Sequence, residues 1–318
     1  MSVRTPVHEA GGDGYAVAMD TAPSAAEILG QFSFDPLWLV LLVGCALAYA
    51  TAFRRSRMSG RQPHSTFRLA AFMAGLGVAS AAVLSPVEHY GNQLLWVDFL
   101  GFLLLTMLAA PLLVLGAPLT LAFRVSGETG RRRLRRFYRS RPMAMLTFPV
   151  AAWLLFAIVT YAWQFTQLTT IASRTPWVRD IQLLSLLTVA ILFWMPALCS
   201  DPMRWRMAHP LRAFYVTVEM VHKGLFGGMF LSAATPFHEE FAANAPAWAP
   251  DAITDQRLGI LILWIGGNAF FLVALAGIVL AWVAFERRHQ HRTDWHLDLA
   301  RAADRRRQAA LAKVFERR

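Results

Sequence analysis

Asp98-Phe99-Leu100-Gly101-Phe102-Leu103-Leu104-Leu105-Thr106-Met107-Leu108-Ala109-Ala110-Pro111-Leu112-Leu113-Val114-Leu115-Gly116-Ala117-Pro118 opens on one carboxylate and carries no other charge. A stretch of this kind matches the roughly 20 apolar residues that a helix needs to cross a hydrocarbon core. Only helices and closed barrels satisfy their backbone in lipid, and continuous apolarity rather than alternation predicts a helix. Reading outward, six further apolar runs of similar length predict spans near 36–53, 67–86, 143–163, 181–199, 213–234 and 258–285, with this one near 95–118. The expected fold is therefore all-α: a polytopic bundle of seven transmembrane helices over 36–285, a 1–35 extracytoplasmic segment and a basic tail over 286–318.

Composition agrees. Of the 318 residues, 56% are hydrophobic and 16% charged, against about a quarter charged in an average soluble domain. The formal charge of +11 is concentrated in alternate connections and the tail. Arg54, Arg55, Arg57 and Arg61 follow the first run. Arg131, Arg132, Arg133, Arg135, Arg136, Arg139 and Arg141 follow the third, and Arg204, Arg206 and Arg212 follow the fifth. The intervening connections are nearly neutral or acidic, with Glu88 in one, Arg174, Arg179 and Asp180 in another and His238-Glu239-Glu240 with Asp251 in the third, and the N-terminal stretch is acidic with Glu9, Asp13, Asp20, Glu27 and Asp35 against Arg4. Such alternation predicts an N-terminus outside and a C-terminus in the cytoplasm. It also makes nucleic acid a poor explanation for the charge. No basic leader runs into a short apolar core, so the first span is expected to insert uncleaved. The tail from Asp294 to Arg318 has apolar residues near helical spacing, which fits either an amphipathic helix on lipid or a solvated one.

Cys45 and Cys199 lie inside apolar runs and form no CxxC pair, so they read as packing residues. No phosphate loop, nucleophile motif or zinc-protease pattern is present, and nothing nominates an enzyme. Two groups of polar residues stand out. Glu219, His222 and Lys223 share one helix face inside the sixth run, where either an i,i+4 ion pair between Glu219 and Lys223 or a proton relay through Glu219 and His222 is expected. Asp98, Gln164, Asp180, Asp255 and Gln256 fall near the outer ends of their helices, a candidate polar cluster. His238-Glu239-Glu240 offers mixed ligands in a flexible outer connection. The methionines form no compact pair within a span, and His289, His291 and His296 read as part of a solvated tail.

Several strings in order along the chain resemble the CtaG-like cytochrome c oxidase assembly factor family, bacterial seven-helix proteins tied to maturation of the copper-containing oxidase. They are Tyr49 with Arg54-Arg55, Arg68 to Leu76, Leu84-Ser85-Pro86, Ala110 to Pro118, Phe193-Trp194-Met195-Pro196, and Asp255-Gln256-Arg257-Leu258-Gly259 followed by Trp264. The resemblance implies a lipid-embedded protein that aids oxidase assembly, with an oxidase subunit or another assembly factor as partner and copper as the implied metal. The chain departs from the family at the histidines. His-Met-x-x-His entering the third helix is replaced by Asp98 to Phe102, Trp-His by Trp163-Gln164, and a histidine opening the fifth helix by Asp180. Phe102 cannot ligate, and the oxygens of Asp98, Gln164 and Asp180 suit copper(I) poorly. A histidine-based copper site is therefore not expected, and maturation through protein contacts is. The alternative is a transporter or channel for ions, protons or small solutes using Glu219, His222 and Lys223, although no inverted repeat is evident.

Overall fold

The computed structural model describes residues 22–58, 64–238, 241, 243 and 245–315, with side chains left out at 25, 165 and most of 289–315. All regular elements among them are helices. In chain order these are α1 (Ala25–Gly30), α2 (Pro36–Met58), α3 (Thr66–Val83), α4 (Pro86–Gly91), α5 (Leu95–Leu103), α6 (Ala110–Leu115), α7 (Pro118–Val125), α8 (Glu128–Tyr138) and α9 (Arg141–Leu146). They continue with α10 (Pro149–Phe165), α11 (Leu168–Arg174), α12 (Pro176–Leu198), α13 (His209–Leu231), α14 (Ala252–Leu261) and α15 (Gly267–Phe315). A π-helical turn, Leu104–Ala109, joins α5 to α6, and another, Ile262–Gly266, joins α14 to α15.

Five helical stretches among the described residues are long and apolar enough to cross a membrane: Pro36–Met58, Thr66–Val83, Leu95–Val125, Pro176–Leu198 and Ala252–Arg288. A sixth arises if α10 and α11, bent by 65°, count as one broken span. The expected sixth run is α13. At 23 residues it spans about 35 Å, but Arg212, Glu219 and Lys223 reduce its apolarity. Its length and its charges thus point in opposite directions.

Leu95–Val125 is the hub, with 67% of its most apolar window buried against 11% for Ala252–Arg288 and 22% for Pro36–Met58. The outer helices instead turn large apolar side chains outward, among them Val40, Leu47, Val273 and Leu280. Lipid is the solvent in which such surfaces are stable. α12 packs against α10 and α6, α3 against α6, and α14 against α5.

The strings that carry the family resemblance hold these helices together. In a bilayer, close van der Waals approach takes over from the hydrophobic effect, and small residues permit it. A Cβ at Gly75 would stand 2.9 Å from the Leu113 backbone nitrogen, and one at Gly259 would stand 3.0 Å from the Trp96 Cα. Tyr49 stacks on Phe72 with ring centroids 3.9 Å apart and donates its hydroxyl to the Gly116 carbonyl at 2.7 Å. Trp194 Nε1 donates at 2.9 Å to the carbonyl of Thr106, inside the first π-helical turn. That turn frees carbonyls from the regular ladder, and the indole satisfies one of them.

Ala117 adopts a left-handed conformation, φ 50° and ψ 57°, so that Pro118 can begin α7. Buried Asp201 holds the start of α7 by accepting the Leu119 and Thr120 N–H groups at 3.2 and 2.7 Å and the Thr120 hydroxyl. A carboxylate at a helix N-terminus satisfies otherwise orphaned donors. Asp201→Ala should therefore cost about 2 kcal/mol, read as a lower unfolding temperature in detergent, and Asp201→Asn should cost less.

The structure shifts several expected boundaries. The fourth run is divided by Pro149 into α9 and α10. The last span passes without a helical break into the tail, as far as Phe315. Cys45 is exposed and Cys199 half-buried. Glu9, Asp13 and Asp20 lie outside the described residues, as do the side chains of His289, His291 and His296.

Candidate functional site

The five outer polar residues come to the same end of the bundle but do not converge on one point. Asp98 Oδ1 accepts from Arg179 Nη1 at 2.7 Å. The same guanidinium donates from Nε and Nη2 to the two oxygens of Glu88 at 2.8 and 3.0 Å, and from Nη1 to Gln182 Oε1 at 3.0 Å. Asp98 and Glu88 are both buried, so this fork ties α4, α5 and α12 together where water is scarce. Asp180, one residue along α12, turns away and accepts from Trp38 Nε1 of α2 at 3.0 Å. Asp255 caps α5, accepting the Leu95 and Trp96 N–H groups at 2.8 and 3.0 Å. Gln256 accepts from Phe237 N at 2.9 Å and donates to the Phe230 carbonyl at 3.1 Å. Gln164 is buried with its Oε1 unpartnered.

Arg179 is the residue that sequence reasoning missed. It stood there as a minor charge of an outer connection, and Glu88 likewise. Their opposite signs in neighbouring connections were the available signal. Glu88, Arg179 and Asp180 line a cavity of about 380 Å³ with Asp35 and Asn92. His238 also differs from expectation: it is buried, with Nε2 3.0 Å from the Gln164 carbonyl. Glu239 and Glu240 lie outside the described residues.

The second group sits at the middle of α13. Glu219 is fully buried, and its Oε2 is 3.2 Å from His222 Nδ1. The expected Glu219–Lys223 ion pair does not form. Lys223 Nζ instead lies 5.4 Å from the ring centroids of both Phe102 and Phe271 and has no hydrogen-bond partner. Helical spacing made the ion pair available, but two aromatic faces from other helices hold the ammonium instead. His222 is flanked by the rings of Trp153 and Tyr161, with centroids 5.0 and 5.2 Å away. Glu219 Oε1, Lys223 Nζ and Thr160 Oγ1 are all buried without hydrogen-bond partners. Their residues line one cavity of about 20 Å³. That is room for about one water molecule, and it has the polar partners a buried water requires.

The positions where the resemblance implies copper ligands do not fit that ion. Asp98 is engaged by Arg179, Phe102 gives its ring face to Lys223, and Asp180 is turned to Trp38. No group of three or more His, Cys, Asp and Glu among the described residues is placed to hold a metal.

Lipid-facing helices around a hub with polar groups sealed inside define a helical membrane protein. The family model for Cytochrome c oxidase caa3 assembly factor (Caa3_CtaG) matches residues 47–284, and the chain belongs to this family. Its relatives include uncharacterized proteins of Mycobacterium bovis and Mycobacterium tuberculosis, each 29% identical over 291 residues. A Mycobacterium leprae protein, also uncharacterized, is 25% identical over the same length. In all three the match covers 89% of this chain and 44% of the relative, so the chain spans less than half the length of these proteins. No solved structure matches it.

Proposed function

We propose that this protein is a multi-pass protein of the bacterial cell membrane that supports maturation of a respiratory oxidase. It does so by binding an oxidase subunit or another assembly protein, without catalysis and without copper held at the substituted positions. The observation that carries the reading is the family match over 47–284. The charge alternation supports seven spans with the N-terminus outside, counting α10 with α11 as one span and α13 as another.

A strain lacking the gene tests this reading. The expected result is loss of the oxidase's reduced-haem absorbance and of oxidase-dependent oxygen consumption, restored by the wild-type gene. Unchanged spectra and respiration in the deletion strain would remove it.

A further inference from the structure

A cavity of about 670 Å³ opens on the arginine-rich side of the bundle between α7, α8 and the connection after α12. Arg135, Tyr138 and Arg139 line it from α8 and its end, Arg204 and Met203 from the connection, and Phe123 from α7. Around Arg204 it adjoins a second, apolar groove of about 350 Å³, whose lining includes Met145, Phe148, Ala151 and Trp205. No carboxylate among the described residues lines either space. The nearby acids are committed elsewhere, Asp201 to the start of α7 and Glu128 to Arg132 at 2.6 Å on the exposed face of α8. Arg204 has its guanidinium 5.3 Å from the Trp205 ring centroid, at the junction of the two spaces.

We propose that these two spaces form a binding site for one anionic phospholipid. The headgroup phosphate is bound by Arg135, Arg139 and Arg204, and an acyl chain lies along Met145, Phe148 and Trp205. The amphiphilic lining argues for a lipid over free phosphate: a cationic pocket alone suits any phosphate, but the adjoining groove suits a tail. The position agrees, because α12 ends at Leu198 and α10 begins at Pro149 on this side, where headgroups meet the hydrocarbon. Guanidinium groups match phosphate oxygens in geometry as well as charge. This site is independent of the oxidase reading and stands if that reading fails.

Native mass spectrometry of the detergent-purified full chain tests it, with dioleoylphosphatidylglycerol and dioleoylphosphatidylcholine as probes. Wild type should retain one phosphatidylglycerol per chain in preference to phosphatidylcholine. Arg135→Gln/Arg139→Gln/Arg204→Gln should weaken retention by about 100-fold, from about 1 kcal/mol for each arginine near anionic lipid. Arg131→Gln/Arg132→Gln/Arg133→Gln removes equal charge from residues that line neither space and should change it by less than about threefold. Arg204→Gln alone, at the junction of the two spaces, should weaken retention by about fivefold, which holds the test open if the triple variant misfolds. Three results would overturn the proposal: no preference over phosphatidylcholine, equal losses in the two triple variants, or displacement of the lipid by inorganic phosphate.

Discussion

Arg179→Gln is expected to destabilise the protein by about 3–5 kcal/mol, the range for leaving buried charges without their partner. The wild-type guanidinium neutralises Glu88 through a two-pronged contact and Asp98 through one bond at 2.7 Å. Removing it leaves two buried carboxylates side by side, each repelling the other in a medium that screens poorly. Arg179→Lys should recover only part of the loss, because an ammonium cannot make the parallel pair of bonds. Glu88→Gln/Asp98→Asn in the Arg179→Gln background should restore most of it. Thermal unfolding in detergent, followed by tryptophan fluorescence, measures the series. A loss below about 1 kcal/mol, the worth of an exposed pair, would mean that water reaches the cluster and that it is no internal lock.

The second large effect concerns the middle of α13. Glu219→Gln and Lys223→Met should each destabilise by about 2–4 kcal/mol, because each strands the other's charge beside the same small cavity. The double variant should be more stable than either single one. That outcome is a coupling energy, which a double-mutant cycle reads directly. Additive losses would show that the two charges do not sense each other, and that Phe102 and Phe271 alone hold the ammonium.

Five of the seven expected spans were legible among the described residues because lipid imposes a rule on the backbone that acts locally along the chain. Leu95 to Val125 shows this best. Its apolarity marks it as a span, and its depth in the bundle explains why Gly116 and Ala117 tolerate close neighbours and a left-handed turn. The limits of local reading appear in α13, where the same three charges that suggest a site keep the helix from passing as an ordinary span. They appear again in the π-helical turn at Leu104–Ala109, since its cross-helix partner Trp194 lies 88 residues away in sequence.

The polar sites were legible by residue but not by partner. Asp98, Asp180 and Asp255 lie near the starts of their helices, yet each answers to a different element: Arg179, Trp38 and the N-terminus of α5. Glu88 and Arg179 are 91 residues apart in sequence, and no periodicity joins them. Lys223 follows the same lesson. The sequence shows the nearest ion-pair partner on its own helix, whereas the fold supplies two aromatic rings from elsewhere. Phe102, read at first only as the loss of a ligand, turns out to be one of those rings.

The central claim is that the chain keeps a helical scaffold of this family while Asp98, Phe102 and Asp180, where the resemblance implies copper ligands, serve packing and charge balance. Copper(I) titration of the detergent-purified protein under reducing conditions, against a competing chelator, tests it most directly. The account predicts no stoichiometric copper that survives the competitor. One tightly held copper(I) per chain, lost in Asp98→Ala or Asp180→Ala, would contradict it.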